Sequence, residues 1–297
     1  MILFHRTLLA AAAAAFLLAG CEDLDRRAMV MVPGEDYAPE ILLSGEDGIV
    51  SPDGLLWRQG QLAIADEGGS AVRIWTPGGR VTTLATAEDG LQSPEDLAWP
   101  EDGILHFTDD DGGGLWWFKG GTASKRLPAA APLEASEGLV LAPSDTLVVG
   151  AGETGALVFV SPGGGIERLD LGIAKAESLA FDGEGNLYIA DNRDDVLYRL
   201  DRDGTLRRPI AGREGFSPES IHFAGSALLI TDSRHGKLYR YAPEDGLSTI
   251  AVFAGELANV QGVTTDGAGN IYVSVQSDLE AGKGFVLRLR PKGRSAP

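Results

Sequence analysis

One cysteine, Cys21, and four histidines are the only thiol and imidazole groups among 297 residues. A single cysteine excludes an intrachain disulfide. Residues 22–297 therefore have no thiol nucleophile and no thiolate metal ligand. Basic residues are also scarce: 25 Lys and Arg face 43 Asp and Glu, for a net charge of −18. Phosphate backbones are bound by basic surfaces, so nucleic acid is excluded as a partner; metal cations, amines or basic proteins fit better. Beyond the N-terminus no stretch is apolar and long enough to span a bilayer as a helix. No nucleophile elbow of the G-x-S-x-G type occurs, and the GGG runs at 112–114 and 163–165 are bare turns, not phosphate loops. Long helical patterns are missing too, and 40 glycines with 15 prolines mark many turns between short strands.

The N-terminus stands apart. His5 and Arg6 precede "TLLAAAAAAFLLAG", an apolar run of small residues that reads as an export signal. "LAGC" at 18–21 resembles the bacterial lipobox, in which the cysteine is lipidated and becomes the first mature residue. Residues 1–20 are thus expected to be a lipoprotein signal peptide. Residues 21–38 are read as lipidated Cys21 and a polar tether with a small apolar patch at 28–32. Acyl chains on Cys21 give membrane anchoring without a spanning helix. The expected location is the bacterial cell envelope, with the folded part on the periplasmic side.

The rest of the chain repeats. "SPDGLLW" at 51, "SPEDLAW" at 93, "ASEGLVL" at 135, "KAESLAF" at 175, "SPESIHF" at 217 and "NVQGVTT" at 259 align. Their first apolar residues, Leu55, Leu97, Leu139, Leu179, Ile221 and Val263, are spaced by 42, 42, 40, 42 and 42. Each copy continues into further short strands, such as "NLYIAD" and "VLYRL" in the fourth. Four short antiparallel strands per period is the signature of a propeller blade. The fold expected is all-β: one six-bladed β-propeller over residues 39–291, with a C-terminal tail at 292–297. The sixth copy lacks its fourth strand, and "EILLSGEDGIVSPDGL" (40–55) aligns with "TTLATAEDGLQSPEDL" (82–97). Residues 40–44 are therefore expected to complete the last blade and close the ring, removing exposed sheet edges.

Two residues before each anchor lie Asp53, Glu95, Glu137, Glu177, Glu219 and Gln261. The first strand of each blade lines the channel, so these residues form a ring at its mouth. Asp66, Asp109, Asp191 and Asp232 end the second strands, on loops that open on the same face, where Asp110 and Asp111 add to it. Two like charges about 6 Å apart at an effective dielectric of about 20 repel by roughly 3 kcal/mol. A cation in the ring or raised pKa values must relieve that repulsion. Carboxylates and an amide are hard oxygen ligands and suit calcium before magnesium or manganese. No histidine occupies a ring position, which argues against zinc. The plainer alternative, stronger for the second set, is that carboxylates cap their own loops. "DGEGN" (182–186), "DGAGN" (266–270) and "DRDGT" (201–205) read as hairpin turns rather than calcium loops. His106 and His222 fall within strands, whereas His235 sits on a mouth loop within reach of a ligand. The tryptophans read as inter-blade packing, with Trp57 and Trp99 nearest the channel.

These motifs resemble the senescence marker protein/gluconolactonase family (the regucalcin-like proteins), and the blades share the pattern of NHL-repeat and strictosidine synthase-like propellers. The family is a six-bladed propeller with one divalent metal, commonly calcium, at the channel mouth, and many members hydrolyse sugar lactones. Its first-blade ligand, the acid of E-G-P-x-W, falls on Asp53 of "DGLLW". The Asn of N-D-G falls on Glu137, the Asn of N-G-L-A on Glu177, and the Asp of D-G-x, a ligand and proposed base, on Glu219. Two positions thus carry Glu where the family has Asn. The resemblance implies a divalent metal, calcium first, on Asp53, Glu137, Glu177 and Glu219. Glu95 and Gln261 are further candidate ligands at the mouth, and Glu219 or Glu177 would activate water. Metal-dependent hydrolysis of a lactone or ester is one expected function. The other is non-catalytic: a monomeric propeller that holds a small cationic ligand or an envelope protein partner.

Overall fold

The computed structural model of the chain describes residues 26, 29–34, 36–127, 133, 135–276 and 284–293. The expected signal peptide, Cys21 and much of the tether lie outside the described residues. Two strands precede the first blade: β1 (Val30–Met31) and β2 (Tyr37–Leu43). Blade 1 is β3 (Pro52–Arg58), β4 (Gln61–Asp66), β5 (Ala71–Trp75) and β6 (Thr82–Ala85). Blade 2 is β7 (Pro94–Ala98), β8 (Leu105–Asp109), β9 (Leu115–Lys119) and β10 (Thr122–Leu127). Blade 3 is β11 (Ser136–Leu141), β12 (Leu147–Ala151), β13 (Ala156–Val160) and β14 (Ile166–Asp170). Blade 4 is β15 (Ser178–Phe181), β16 (Leu187–Asp191), β17 (Val196–Leu200) and β18 (Leu206–Ile210). Blade 5 is β19 (Ile221–Ala224), β20 (Ala227–Asp232), β21 (Lys237–Ala242) and β22 (Gly246–Phe253). Blade 6 is β23 (Val260–Thr265), β24 (Ile271–Val275) and β25 (Phe285–Pro291), completed by β2. All pairings are antiparallel, and the six-bladed propeller read from the repeat is the fold observed.

Strand character follows depth in the blade. The second strands lie between neighbouring blades and read as near-continuous apolar runs; β12, β16 and β20 are buried along their whole length. The outermost strand β14 is exposed throughout. Six apolar cores result, one in each gap between blades. In the gap that joins blade 6 to blade 1, Leu43, Leu62, Tyr272 and Val286 pack together, and Trp57 stacks on Tyr272 at 5.0 Å. The hairpin turns behave as read. Asp182 accepts hydrogen bonds from the Glu184 and Asn186 N–H groups at 2.9 and 2.8 Å, and Gly185 takes φ +84°. That left-handed conformation suits glycine.

Closure begins earlier than residue 40. The strand β2 pairs with β25 from Tyr37–Pro291 to Leu43–Val286. Glu40 accepts from Arg288 and pairs with Arg290 Nε at 2.9 Å. The segment read as a tether also contributes: β1 adds a fifth strand to blade 5, with Val30 opposite Phe253 and Met31 opposite Val252. Two-residue alternation explains it. Val30 turns inward into the core between blades 5 and 6, while Met31 remains 59% exposed. Among the described residues, structure that packs on the propeller therefore begins upstream of residue 39.

Candidate metal centre

Each inner strand reaches the mouth through a kink. In blade 1, Pro52 pairs with Asp66 and the next pair is Leu55 with Ile64. Three steps on β3 match two on β4, so one extra residue is accommodated as a β-bulge. Pro94–Asp109 and Leu97–Phe107, Ser136–Ala151 and Leu139–Val149, and Val260–Val275 and Val263–Val273 repeat it. Asp53, Glu95, Glu137 and Gln261 lie inside these bulges. A bulge breaks the alternation of the strand and re-aims a side chain. This is why strands bound for a core can begin with a carboxylate. Glu177 and Glu219 sit at the same level, with their N–H groups donated to Ala190 O and Thr231 O.

Side chains of adjacent blades lock the ring together. Thr108 Oγ1 donates to Glu137 O at 2.6 Å, Thr231 Oγ1 to Gln261 O, and Ser274 Oγ to Asp53 O. Glycine allows the closest approach. A Cβ on Gly54 would lie 2.1 Å from Glu95 O, and one on Gly262 2.4 Å from Asp53 O.

Asp53, Glu95, Glu137, Glu177 and Glu219 all line one small cavity of about 20 Å³. That volume holds about one water or one monatomic ion. The ring residues divide into four settings. Carboxylate oxygens of Asp53, Glu67 and Glu95 lie within 4.8 Å of one another, as do those of Glu95, Asp110 and Glu137. Lys175 Nζ lies between Glu137 Oε1 at 2.9 Å and Glu177 Oε2 at 2.6 Å. Glu219 accepts from Asn192 Nδ2 at 3.1 Å and from Ser233 Oγ. The amide of Gln261 donates to Asn259 Oδ1 at 2.8 Å and Gln276 Oε1 at 3.2 Å.

The four residues expected as one ligand set are therefore not one cluster. Asp53 and Glu137 belong to groups that share Glu95, Glu177 faces an ammonium, and Glu219 faces an amide and a hydroxyl. Glu95, a further candidate in the sequence, is the residue common to both oxygen clusters.

Electrostatics matches this crowding. Burial, then Glu67, Glu219, Glu137 and Asp96, pushes the Asp53 carboxyl well above its ordinary range. Burial, then Asp53, Glu137, Glu67 and Glu177, does the same to Glu95. Burial raises Glu137 to about 7 despite Lys175, with Asp110 and Glu219 adding to the rise. Glu177 is raised by burial, Glu219 and Glu137, against Lys175. For Lys175 burial favours the neutral amine, but Glu177 and Glu137 outweigh it and hold the ammonium charged.

The second set of aspartates caps loops, as the plainer reading held. Asp66 accepts from the N–H groups of Val50 and Ser51 at 3.1 and 2.8 Å, and pairs with Arg73 Nε at 2.7 Å. Asp109 accepts from Ser93 N at 2.7 Å and Gly112 N at 3.2 Å. Asp191 accepts from Ala174 N and Lys175 N at 2.9 and 3.1 Å. Asp232 accepts from Ser217 N at 3.1 Å and from His235 Nδ1 at 2.9 Å. Each pins the loop that delivers the ring strand of its own blade. His235 thus serves a cap, and His106 and His222 are packed within the propeller.

The residue after each cap position forms an outer tier that the sequence reading largely missed: Glu67, Asp110, Gly152, Asn192, Ser233 and Gln276. Gln276 Nε2 donates to Asp53 Oδ2 at 3.2 Å and to Glu67 Oε2, and Ser93 Oγ donates to Glu67 Oε1 at 3.1 Å. A Cβ on Gly152 would lie 2.3 Å from Glu137 Cγ, so glycine makes room for that carboxylate. The usable signal was positional: one step beyond the cap, at the same place in each repeat.

No family model matches the chain, and no curated protein matches it in sequence. Solved structures do. A gluconolactonase from Xanthomonas campestris is similar with TM-score 0.68 and 16% identity, covering 86% of this chain and 90% of that one. The calcium-binding protein regucalcin from Agrobacterium tumefaciens gives TM-score 0.62 and 19% identity, over 83% and 92%. Virginiamycin B lyase from Staphylococcus aureus gives TM-score 0.62 and 13% identity, over 87% and 90%. At these identities the likeness establishes the fold, and the site must be argued from its own residues.

Proposed function

We propose that this propeller binds a divalent cation, calcium, at the mouth of its channel and uses the site to hydrolyse a lactone or related ester. It belongs, in this reading, with the gluconolactonase and regucalcin-like propellers. The observation that carries the proposal is the pair of three-carboxylate clusters sharing Glu95 beside a single-ion cavity. Calcium binds oxygen at about 2.3–2.6 Å, so ligands on opposite sides of it stand about 5 Å apart. Oxygens gathered within 4.8 Å of one another are close enough to share one such ion. Asp53, Glu67 and Glu95 would hold the ion, with Asp110 and Glu137 on its other flank. Bound there, the cation would supply Lewis-acid polarisation of a substrate carbonyl.

Of the two carboxylates read as bases, Glu219 suits the role better. Asn192 and Ser233 orient it, whereas an oxygen of Glu177 is engaged by Lys175. Lys175 then offers a fixed positive charge to the carboxylate that ring opening produces. Cys21 would tether the propeller to an envelope membrane, and Cys21→Ala should release the protein into the soluble fraction.

The test is hydrolysis of a panel of sugar lactones and aryl esters by chelator-stripped protein, with and without calcium. Chelation and Glu219→Gln should each lower turnover by about 10²-fold or more. Calcium binding without turnover of any panel member would leave the cation site and remove the hydrolase. A second reading would then lead: a holder of organic cations. Lys175, already lodged between Glu137 and Glu177, favours it by example.

A further inference from the structure

The chain enters the fold on the face that carries the acidic ring. Strand β22 ends at Phe253, and a short loop then leads to Val260, the residue before ring residue Gln261. The Phe253 end of blade 5 is therefore its mouth end. Strand β1 runs antiparallel to β22, with Val30 opposite Phe253 and Met31 opposite Val252. The chain thus starts β1 at the mouth end and runs away from it, which puts Met29 and Arg26 on the mouth side.

Several contacts hold that entry point. Ala254 N donates to Met29 O at 3.0 Å, and Met29 N donates to Arg26 O at 2.9 Å. Arg26 Nε pairs with Glu256 Oε1 at 2.7 Å, and the guanidinium lies over the Phe285 ring at 5.0 Å. Phe285 is opposite Val275, the residue before Gln276, whose amide donates to Asp53 Oδ2. Arg26 is thus fixed over blade 6 at the level of the outer tier. A half-buried ion pair is a weak tie by itself. Val30, buried in the core between blades 5 and 6, supplies the apolar grip.

We infer that the mouth face of the propeller is turned toward a lipid bilayer, with the opposite end of the channel held away from it. The inference rests on the anchoring of Cys21 proposed above and is independent of the cation and hydrolase readings. Chain length carries it. The five steps from Cys21 to Arg26 span at most about 18 Å when fully extended. Strand β22, with 8 residues, is roughly 25 Å long. A leash that starts at the mouth end cannot run the depth of a blade and still reach the membrane from the other side. Charge does not forbid the arrangement. The screening length at physiological ionic strength is about 8 Å, shorter than the leash, so the acidic mouth can stand off anionic headgroups without straining it.

The test is energy transfer in vesicles of phosphatidylcholine and phosphatidylglycerol that carry the full lipid-modified chain and an acceptor dye on the headgroups. With Cys21 acylated, an introduced cysteine is the only free thiol. Glu88→Cys puts a donor dye at the mouth end, on the loop before β7, and Glu101→Cys puts one at the opposite end, on the turn after it; both residues are exposed. Blade 2 lies across the ring from blade 5, so a propeller lying on its edge would favour neither dye. Transfer should be severalfold greater from Glu88→Cys than from Glu101→Cys. Mass spectrometry of the same preparation reads the acyl chains on Cys21. An unacylated Cys21 would remove the anchor and this inference with it. An acylated Cys21 with equal transfer from the two sites, or greater transfer from Glu101→Cys, would keep the anchor and overturn the orientation. Neither result depends on calcium binding or turnover.

Discussion

Lys175 Nζ lies 2.6 Å from Glu177 Oε2 and reaches Glu137, one blade away, at 2.9 Å. One ammonium thus neutralises part of the ring and joins blades 3 and 4. Removing one partner of a buried ion pair costs about 3–5 kcal/mol, because the other charge stays behind uncompensated. Lys175→Met should lower the melting temperature of cation-free protein by about 6–20 °C. Added calcium should recover much of that loss. A melt unchanged in the variant would mean that the ammonium does not hold this side of the mouth.

Asp109 tests the caps. Its carboxylate meets the N–H groups of Ser93 and Gly112. Asp109→Asn keeps one acceptor oxygen and loses the charge, leaving a buried donor short, at a cost of about 1–3 kcal/mol. Thermal unfolding should show that loss, and calcium affinity should fall with it because Asp109 places the strand carrying Glu95. Unaltered stability would remove the capping account.

Gly54 tests the inter-blade fit. A Cβ there would lie 2.1 Å from Glu95 O. Gly54→Ala should destabilise by about 1–3 kcal/mol through overpacking and should displace Glu95, weakening calcium binding more than an alanine at exposed Gly78 does. Equal calcium affinity in the two variants would separate Glu95 from the cation site.

The pH dependence has a definite sign. Glu137 is raised to about 7 by burial, and Asp53, Glu95 and Glu177 move the same way. Between its unfolded and folded pKa such a group binds more protons when folded, so stability falls as pH rises. Cation-free protein should therefore melt higher at pH 6.5 than at pH 8, and saturating calcium should flatten or invert that slope. Below about pH 6.5 the opposite trend enters. Burial lowers His106 and His222 to about 4, and their contribution is lost as pH falls through that range. Calorimetric melts across both windows check the two signs separately.

The fold and the ring were legible because both repeat: six anchors and six ring positions recur at the same offset in every blade. The bulges at Asp53, Glu95, Glu137 and Gln261 were not, since one extra residue leaves the spacing of the strand unchanged in outline. Glu67 and Asp110 were masked by the cap aspartates before them, whose chemistry explained the local pattern. Lys175 lies outside the apolar run of its blade, and its second partner, Glu137, belongs to another repeat. Val30–Met31 forms too short a strand for alternation to stand out. In each case the missing information was a contact between blades, which periodicity along one chain does not carry.

The most direct measurement is the melting temperature of chelator-stripped protein before and after calcium, in the wild type, Glu95→Gln and Glu219→Gln. A ligand at 100 times its Kd adds about 2.7 kcal/mol, roughly 5–10 °C for a domain of this size. The account predicts that shift in the wild type, most of it in Glu219→Gln, and little in Glu95→Gln. No shift with calcium, magnesium or manganese, or an equal shift in Glu95→Gln, would contradict a cation held at the carboxylates that share Glu95.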